Sequence, residues 1–240
     1  MTSVMTTPSG EMNLSVGSSA TVELTFAADP AGVLVSGNVS DYSARLSSSM
    51  MPTTEIGSDD LSGNLEFVIG PMGDTEVKSM PRVTGPPMLF RFNPYDLFPR
   101  FPGHRLEPGD TWVDTVTASA DQISLGALPA TAENTTVYTY TRVGDTVVAG
   151  RTLQKIQVSA LGRSQHSREV AGGTVSQDMT NTLEGFALWD AGRGLVAVLE
   201  LVRTVDGSTS MQGRSMPIAM AGPLSLRLVA AAAPSRPPDE

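Results

Sequence analysis

Carboxylates are the residues of this chain that could most readily perform acid and base chemistry. Three pairs lie close together in the sequence, namely Asp59 with Asp60, Asp110 with Asp114, and Glu66 with Asp74. Two carboxyl groups that face one cleft can act as general acid and general base in a hydrolysis. Because the sequence alone brings no pair to a common cleft, solvated surface charge is the more common interpretation of such residues. A carboxylate-based hydrolase is therefore a minor hypothesis.

Other catalytic signatures are weak or missing. The chain has two histidines, His104 and His166, and no cysteine, which excludes a His-rich or Cys-ligated metal site and a thiol nucleophile. Ser164 lies two residues before His166, but the second glycine of a nucleophile elbow is missing. Neither a phosphate-binding glycine loop nor a calcium loop is present. The sequence predicts a non-catalytic protein that needs no metal and no other cofactor.

The charge of the chain bears on its partners. Its 16 basic and 25 acidic side chains give a net charge of −9, whereas nucleic-acid binding needs clustered Lys and Arg, so no nucleic-acid partner is expected. No run of about eighteen apolar residues could span a bilayer as a helix. No signal peptide is visible at the start of this numbering. Ser and Thr alternate with Val, Leu and Ile, a texture typical of periplasmic or extracytoplasmic β proteins, and we expect that location.

The hydrophobic pattern predicts an all-β fold. Apolar residues recur at every second position, as in Val22, Leu24 and Phe26, which places them on one face of a strand. The predicted strands after the first hundred residues are Asp110–Ala118, Thr135–Val143, Leu153–Leu161, Val175–Leu188, Leu195–Val205, Gln212–Ala219 and Leu224–Val229. Short connections between them favour antiparallel neighbours. We expect an antiparallel meander of six or seven strands that forms a curved sheet, a half-barrel or a sandwich, with a Pro- and aromatic-rich insertion.

Glycine-containing stretches mark the predicted turns. They are Gly70–Gly73, Gly144–Asp145, Gly162, Gly172–Gly173, Asp190–Gly194, Asp206–Gly207 and Gly222–Pro223. A Gly-Asp-Thr tripeptide begins at Gly73, Gly109 and Gly144. The sequences between its copies do not match, so we interpret it as a turn followed by the start of a strand rather than as a structural repeat.

Residues 79–108 break the strand rhythm. They hold seven prolines and five aromatic side chains: Phe90, Phe92, Tyr95, Phe98 and Phe101. Proline cannot donate to a sheet ladder, which predicts a loop, with a short helical turn near Pro94–Phe98. The five rings are the candidate partner-binding or ligand-binding residues, acting as a hydrophobic lid or a docking surface. The alternative is a plug that closes one end of the protein's own sheet.

The domain prediction is one β-rich domain over residues 11–229. Its possible lobes, residues 11–78 and 106–229, would be joined by the 79–105 segment. Flexible tails are predicted at residues 1–10 and 230–240.

Two further segments carry a resemblance. The stretch from Phe98 to Asp114 includes Pro-Gly-Asp-Thr-Trp, and Leu188–Val196 reads Leu-Trp-Asp-Ala-Gly-Arg-Gly-Leu-Val. Both motifs resemble those of uncharacterised bacterial extracytoplasmic β proteins. These are similar in architecture to lipoprotein carriers of the LolA/LppX type, which implies a curved antiparallel sheet that holds an acyl chain.

These observations favour two functions. The first is a non-catalytic accessory or scaffolding subunit that uses the aromatic segment to dock on a protein partner or a membrane-protein complex, with photosynthetic and respiratory assemblies as candidate hosts. The second is a carrier or sensor of a lipophilic ligand, such as a lipid, with residues 79–108 as its lid.

Overall fold

A computed structural model describes residues 2–7, 10–49, 52–71, 73–84, 99–119, 131–170, 173–211 and 213–228. Their strands are β1 (Thr2–Thr7), β2 (Gly10–Asp29), β3 (Gly32–Ser48), β4 (Thr54–Gly57), β5 (Leu61–Ser62), β6 (Leu65–Ile69), β7 (Thr75–Ser79), β8 (Arg82–Val83), β9 (Thr111–Ser119), β10 (Thr131–Val148), β11 (Arg151–Val170), β12 (Gly173–Asp190), β13 (Leu195–Met211) and β14 (Arg214–Arg227). A single 3₁₀ turn, Ser58–Asp60, interrupts the strands of the described residues. None of these residues forms a helix of the length and apolarity that a membrane span needs.

Twelve strands form one antiparallel sheet in the order β7-β6-β3-β2-β1-β14-β13-β12-β11-β10-β9, with β4 paired to β3. Strands β5 and β8 form a separate two-stranded sheet. The predicted all-β antiparallel fold is confirmed, and strands β9 to β14 form the meander expected in the second half of the chain. Among the described strands, this order ends at β7 and β9, which come from the middle of the sequence.

The period-two pattern determines the two faces of the sheet. Tyr138 and Tyr140 on β10 are buried, as are Ile156 and Val158 on β11. We refer to the face that carries them as the inner face. The intervening residues point to the other side, where Val137 is 39% exposed. Alternation of side chains along a pleated strand thus gives the sheet one apolar face and one solvated face.

The sheet folds back on itself so that its inner face covers a common core. Leu195 on β13 and Leu226 on β14 pack against the cluster that contains Phe67 on β6. In a flat sheet β6 and β13 would lie about 24 Å apart, five times the usual strand spacing. Side chains of ordinary length cannot cross that distance, so the sheet must be strongly curved.

The same curvature brings the two edges of the sheet together at one end. Gly73, in the turn before edge strand β7, contacts Arg100, which precedes edge strand β9. A Cβ atom built on Gly73 would lie 3.6 Å from Cβ of Arg100. Gly73 has a φ of +82°, so glycine is favoured there by both backbone conformation and space. We refer to this meeting of the two edges as the seam.

The first residues of the sequence differ from the prediction. Residues 1–10 are predicted to be a flexible tail, but Thr2–Thr7 form β1, which lies between β2 and β14. Thr and Val favour extended backbone, and the two neighbouring strands supply ladder partners on both sides. Strand β1 is therefore the element that joins the two halves of the sheet. The predicted tail at residues 230–240 lies outside the described residues.

Four predicted turns are wrong because their glycines lie inside strands, and one of them, at Gly144, is a bulge in β10. Gly162 is in β11, Gly207 is in β13, and the Gly222–Pro223 pair is in β14. Gly207 serves close packing, since a Cβ atom there would lie 2.2 Å from the carbonyl oxygen of Asp178 on the neighbouring strand. The continuous β14 also explains why six strands form where seven segments are predicted.

Other predicted turns are found. In the turn from Gly70 to Gly73, the Gly73 amide donates to the Gly70 carbonyl at 2.9 Å. Asp190–Gly194 joins β12 to β13. Gly144 instead lies at a bulge within β10, and the chain reverses later, at Ala149 and Gly150. The bulge inserts one residue without ending the strand.

Candidate functional site

A row of aromatic side chains lies at the seam end of the inner face. The ring centroid of Phe101 is 5.5 Å from that of Trp112 and 4.6 Å from that of Trp189. Trp112 stacks on Tyr140 at 5.1 Å, and Tyr140 stacks on Tyr138 at 5.8 Å. Centroid distances of this size are typical of favourable aromatic pairs. The rings thus form a continuous apolar wall from the seam into the inner face.

Strand pairing positions this wall. Trp112 on β9 and Tyr140 on β10 are direct cross-strand partners, which brings their side chains together on one face. Tyr138 follows two residues away on the same face. Trp189 lies next to the last residue of β12, beside a bulge between Leu188 and Trp189. Both tryptophans are partly buried and pack against the core.

Phe101 is held in place by contacts of the preceding residue, Arg100. The indole Nε1 of Trp112 donates to the carbonyl oxygen of Arg100 at 2.9 Å. The Arg100 guanidinium pairs with the Asp114 carboxylate, with Nε 2.9 Å from Oδ2. It also donates to the carbonyl oxygen of Thr115 at 2.8 Å. We refer to Pro99–Phe101, anchored in this way on edge strand β9, as the clasp.

A narrow apolar cleft lies beneath the clasp. Its walls come from the inner face of β10 to β13 and from Pro99, and the lining residues are Pro99, Tyr138, Tyr140, Val158, Ala187, Val196, Leu199 and Leu201. No charged side chain belongs to this lining. Its volume is about 10 Å³, which is room for about one water molecule. In this conformation the cleft therefore has no space for a ligand.

A buried arginine supports the chain that leads from the clasp to β9. Arg142 is 7% exposed and donates to the carbonyl oxygen of Leu106 at 2.8 Å and to Asp145 at 2.7 Å. Its backbone carbonyl accepts from the Gly109 amide at 2.7 Å. Arg142 thus connects the Gly-Asp-Thr turn at Gly109 to the β10 bulge at Gly144. The sequence prediction missed this residue, since nothing in its surroundings marks it as buried.

The carboxylate of Asp190 holds the turn that follows β12, next to Trp189. Asp190 is 8% exposed and accepts from the amides of Gly192 and Arg193 at 3.1 and 3.2 Å. The guanidinium groups of Arg151 and Arg193 lie 3.6 and 3.9 Å from its other oxygen. This turn chemistry fixes the end of β12, and with it the position of Trp189. The two motifs singled out in the sequence therefore meet in space, with Phe101 between their tryptophans.

The predicted aromatic residues have different outcomes. Phe101 packs internally between Trp112 and Trp189, as the plug interpretation predicts. Phe90, Phe92, Tyr95 and Phe98 lie outside the described residues, together with the helical turn predicted near Pro94–Phe98. A role for those four rings in binding a partner stays a prediction.

Three of the six candidate catalytic carboxylates have structural partners. Asp114 pairs with Arg100, while Asp110 accepts from the amide of Glu107 at 2.7 Å. Asp60 accepts from the Gly57 amide at 3.0 Å within the 3₁₀ turn. Ser164 is 6% exposed on the inner face. These carboxylates stabilise turns or hold the clasp.

Among the side chains that the structure describes, no three His, Asp or Glu residues are grouped as metal ligands would be.

Comparison with known proteins gives no match: no family model fits the sequence, and no curated protein or solved structure is significantly similar to it. The resemblance to extracytoplasmic β proteins and to LolA/LppX-type carriers therefore stays a prediction.

Proposed function

We propose that this protein is a non-catalytic binding protein that holds the apolar part of a lipophilic ligand on the inner face of its curved sheet. The observation that carries the proposal is the lining of the cleft, in which eight residues from four strands and the clasp present carbon surface and two tyrosines. Burial of apolar area supplies the affinity in such a site. A single acyl or isoprenoid chain suits this lining.

The lining has no charged side chain to pair with an ionic ligand, so the cleft disfavours charged ligands. A buried ion needs a partner charge or several hydrogen bonds, and the lining has no charged side chain. The buried part of the ligand must therefore be neutral and apolar. Any polar head group would remain at the seam, where Arg100 and Asp114 are 32% and 11% exposed.

Native mass spectrometry of the gently extracted protein tests the proposal. We expect an adduct whose fragmentation gives a lipid or another apolar molecule. Ala187→Met should reduce this adduct, because Ala187 is 3% exposed and lines the cleft. Val202→Met is the matched control, since Val202 lies on the neighbouring strand, is 56% exposed and faces the opposite side. Equal adducts in the two variants, or none from the native source, would contradict the proposal.

The accessory-subunit role is the alternative outcome. This role needs the aromatic segment as a docking surface, but the Phe101 ring of that segment already packs against Trp112 and Trp189. Recovery of a specific protein partner from the native source, lost in a Phe98→Ala and Phe101→Ala double variant, would favour that role. The envelope location belongs to both proposals.

A further inference from the structure

The clasp borders the cleft. Pro99 forms one side of it, and Phe101 lies between Trp112 and Trp189, with Trp112 stacked on Tyr140 of the lining. The volume of about 10 Å³ is far below the several hundred cubic ångströms typical of a small-molecule site, so a ligand can be held only if part of this boundary moves. Pro99–Phe101 is the part of the boundary that belongs to no strand.

Besides the ring contacts of Phe101, three polar contacts with described residues hold the clasp. They are the ion pair of Arg100 with Asp114, the hydrogen bond from Arg100 to Thr115, and the hydrogen bond from Trp112 to the Arg100 carbonyl. All three contacts converge on one residue, Arg100. Its guanidinium is 32% exposed, so water can replace its contacts when the clasp opens.

The clasp also lies where the two edges of the sheet meet. Arg100 contacts Asp114 on β9 and the backbone of Gly73 beside β7. Displacing it would release the seam as well as the cleft, while the ladders of β10 to β13 would remain paired. Opening therefore needs no rearrangement of the sheet core.

We infer that Pro99–Phe101 is a displaceable lid, with Phe101 occupying the binding site in place of the ligand and the Arg100–Asp114 pair holding the lid shut. This inference rests on the proposed function. It names Arg100 and Asp114 as positioning residues and Phe101 as the group that an apolar chain replaces between the two tryptophans.

Tryptophan fluorescence gives a direct readout without any ligand. The chain has two tryptophans, and both contact Phe101. Asp114→Asn should raise the open population about fivefold, which corresponds to the loss of about 1 kcal/mol for a partly exposed ion pair. The result expected is stronger quenching of both tryptophans by acrylamide in the ligand-free protein.

The control variant is Glu200→Gln. Glu200 pairs with Arg227 at 2.8 Å on the same sheet, away from the clasp, so quenching should match that of the parent protein. Far-UV circular dichroism would establish that both variants are folded. A folded Asp114→Asn variant with parental quenching would overturn the lid, whether or not a ligand is found.

A reversible lock provides a second test. Gly73→Cys combined with Arg100→Cys creates the only thiols in the chain, at a Cβ separation of 3.6 Å, within the disulfide range of about 3.5–4.5 Å. Oxidised, this variant should exclude the lipid adduct and show low quenching. Reduced, it lacks Arg100 and should take up the lipid and show high quenching.

The two tests separate the lid from the proposed function. Equal quenching in the oxidised and reduced forms would overturn the lid. Redox-dependent quenching with no adduct in either form would retain the lid as a conformational element and reject lipid binding.

Discussion

Phe101 and Trp189 are in direct ring contact, with their centroids 4.6 Å apart and their planes inclined at 49°, although 87 residues separate them in the sequence. This contact closes the seam end of the inner face. It joins the irregular chain before β9 to the end of β12, two parts of the protein that no backbone ladder connects directly.

Replacing Phe101 should show how much this contact contributes to the free energy of unfolding. We expect Phe101→Ala to lower the free energy of unfolding by about 2 kcal/mol, less than for a fully buried phenylalanine because the ring is only partly buried. Phe26→Ala is the control, since Phe26 is 50% exposed and should cost less than about 1 kcal/mol. Urea unfolding followed by circular dichroism would compare them, and equal losses would contradict the internal role of Phe101.

Arg142 should be more important for stability than its exposed counterparts. Arg142→Met leaves the Leu106 carbonyl without its donor, a loss of about 1–3 kcal/mol for a buried polar group, whereas the Asp145 side chain is 49% exposed and can bind water instead. Arg45→Met is the matched control, because the Arg45 side chain is 68% exposed and lies 3.8 Å from Glu55. Its effect should stay within about 0.5 kcal/mol. Chemical denaturation measures both, and a neutral Arg142→Met would show that the buried contacts do not stabilise the fold.

Glycine packing within the sheet can be tested with a single methyl group. In Gly207→Ala the new Cβ would lie 2.2 Å from the Asp178 carbonyl oxygen, so the ladder between β12 and β13 must shift, at a cost of about 1–3 kcal/mol. Gly17→Ala is the control, because Gly17 also lies in a strand and has open space around it. There we expect no loss of thermal stability. A destabilised control with an unaffected Gly207→Ala would refute the packing argument.

Alkaline stability should depend on Tyr42. Burial raises the pKa of the Tyr42 hydroxyl, and the negative charge of Asp60 raises it further. Because the folded-state pKa lies above the unfolded value of about 10, the contribution of Tyr42 to stability is complete below pH 10 or so. It is lost as the pH rises through the folded-state pKa.

Urea midpoints measured between about pH 8 and pH 11.5 would test this sign. The parent protein should lose stability over the upper part of the range, and Tyr42→Phe should lose less. Asp60→Asn should also lose less, since it removes the charge that raises the pKa. A steeper alkaline loss in Tyr42→Phe than in the parent would reverse the prediction.

The sequence predicted the local structure better than the contacts between distant segments. Alternation in the stretch around Tyr138 and Tyr140 predicted the strand Thr135–Val143, which lies within β10, since period two is a local property of a pleated chain. Glycine was ambiguous: Gly73 does form a turn, whereas Gly207 provides close packing between strands. Only the position of the neighbouring strand distinguishes these uses, and that position is a tertiary property.

The candidate site depended on such tertiary information. Phe101 was identified from composition, yet its neighbours Trp112 and Trp189 could not be paired with it until the curvature of the sheet was known. Arg142 escaped prediction for the same reason, because its burial arises from the bulge near Gly144 and from the packing of Leu106. The clasp is therefore a product of sheet curvature rather than of a local motif.

Strand β1 has a consequence for how the protein folds. Most ladders in the sheet join strands that are close in the sequence, but β1 pairs Thr2 with Ala221. Closing a loop of more than two hundred residues costs about 3 kcal/mol more entropy than closing one of ten, and four residue pairs form the β1–β14 ladder. The hairpins of β9 to β14 should therefore form early, with the edge of β14 exposed until β1 arrives. During that interval the nascent sheet is open to pairing with another chain, so the speed of this one closure controls how much protein aggregates instead of folding.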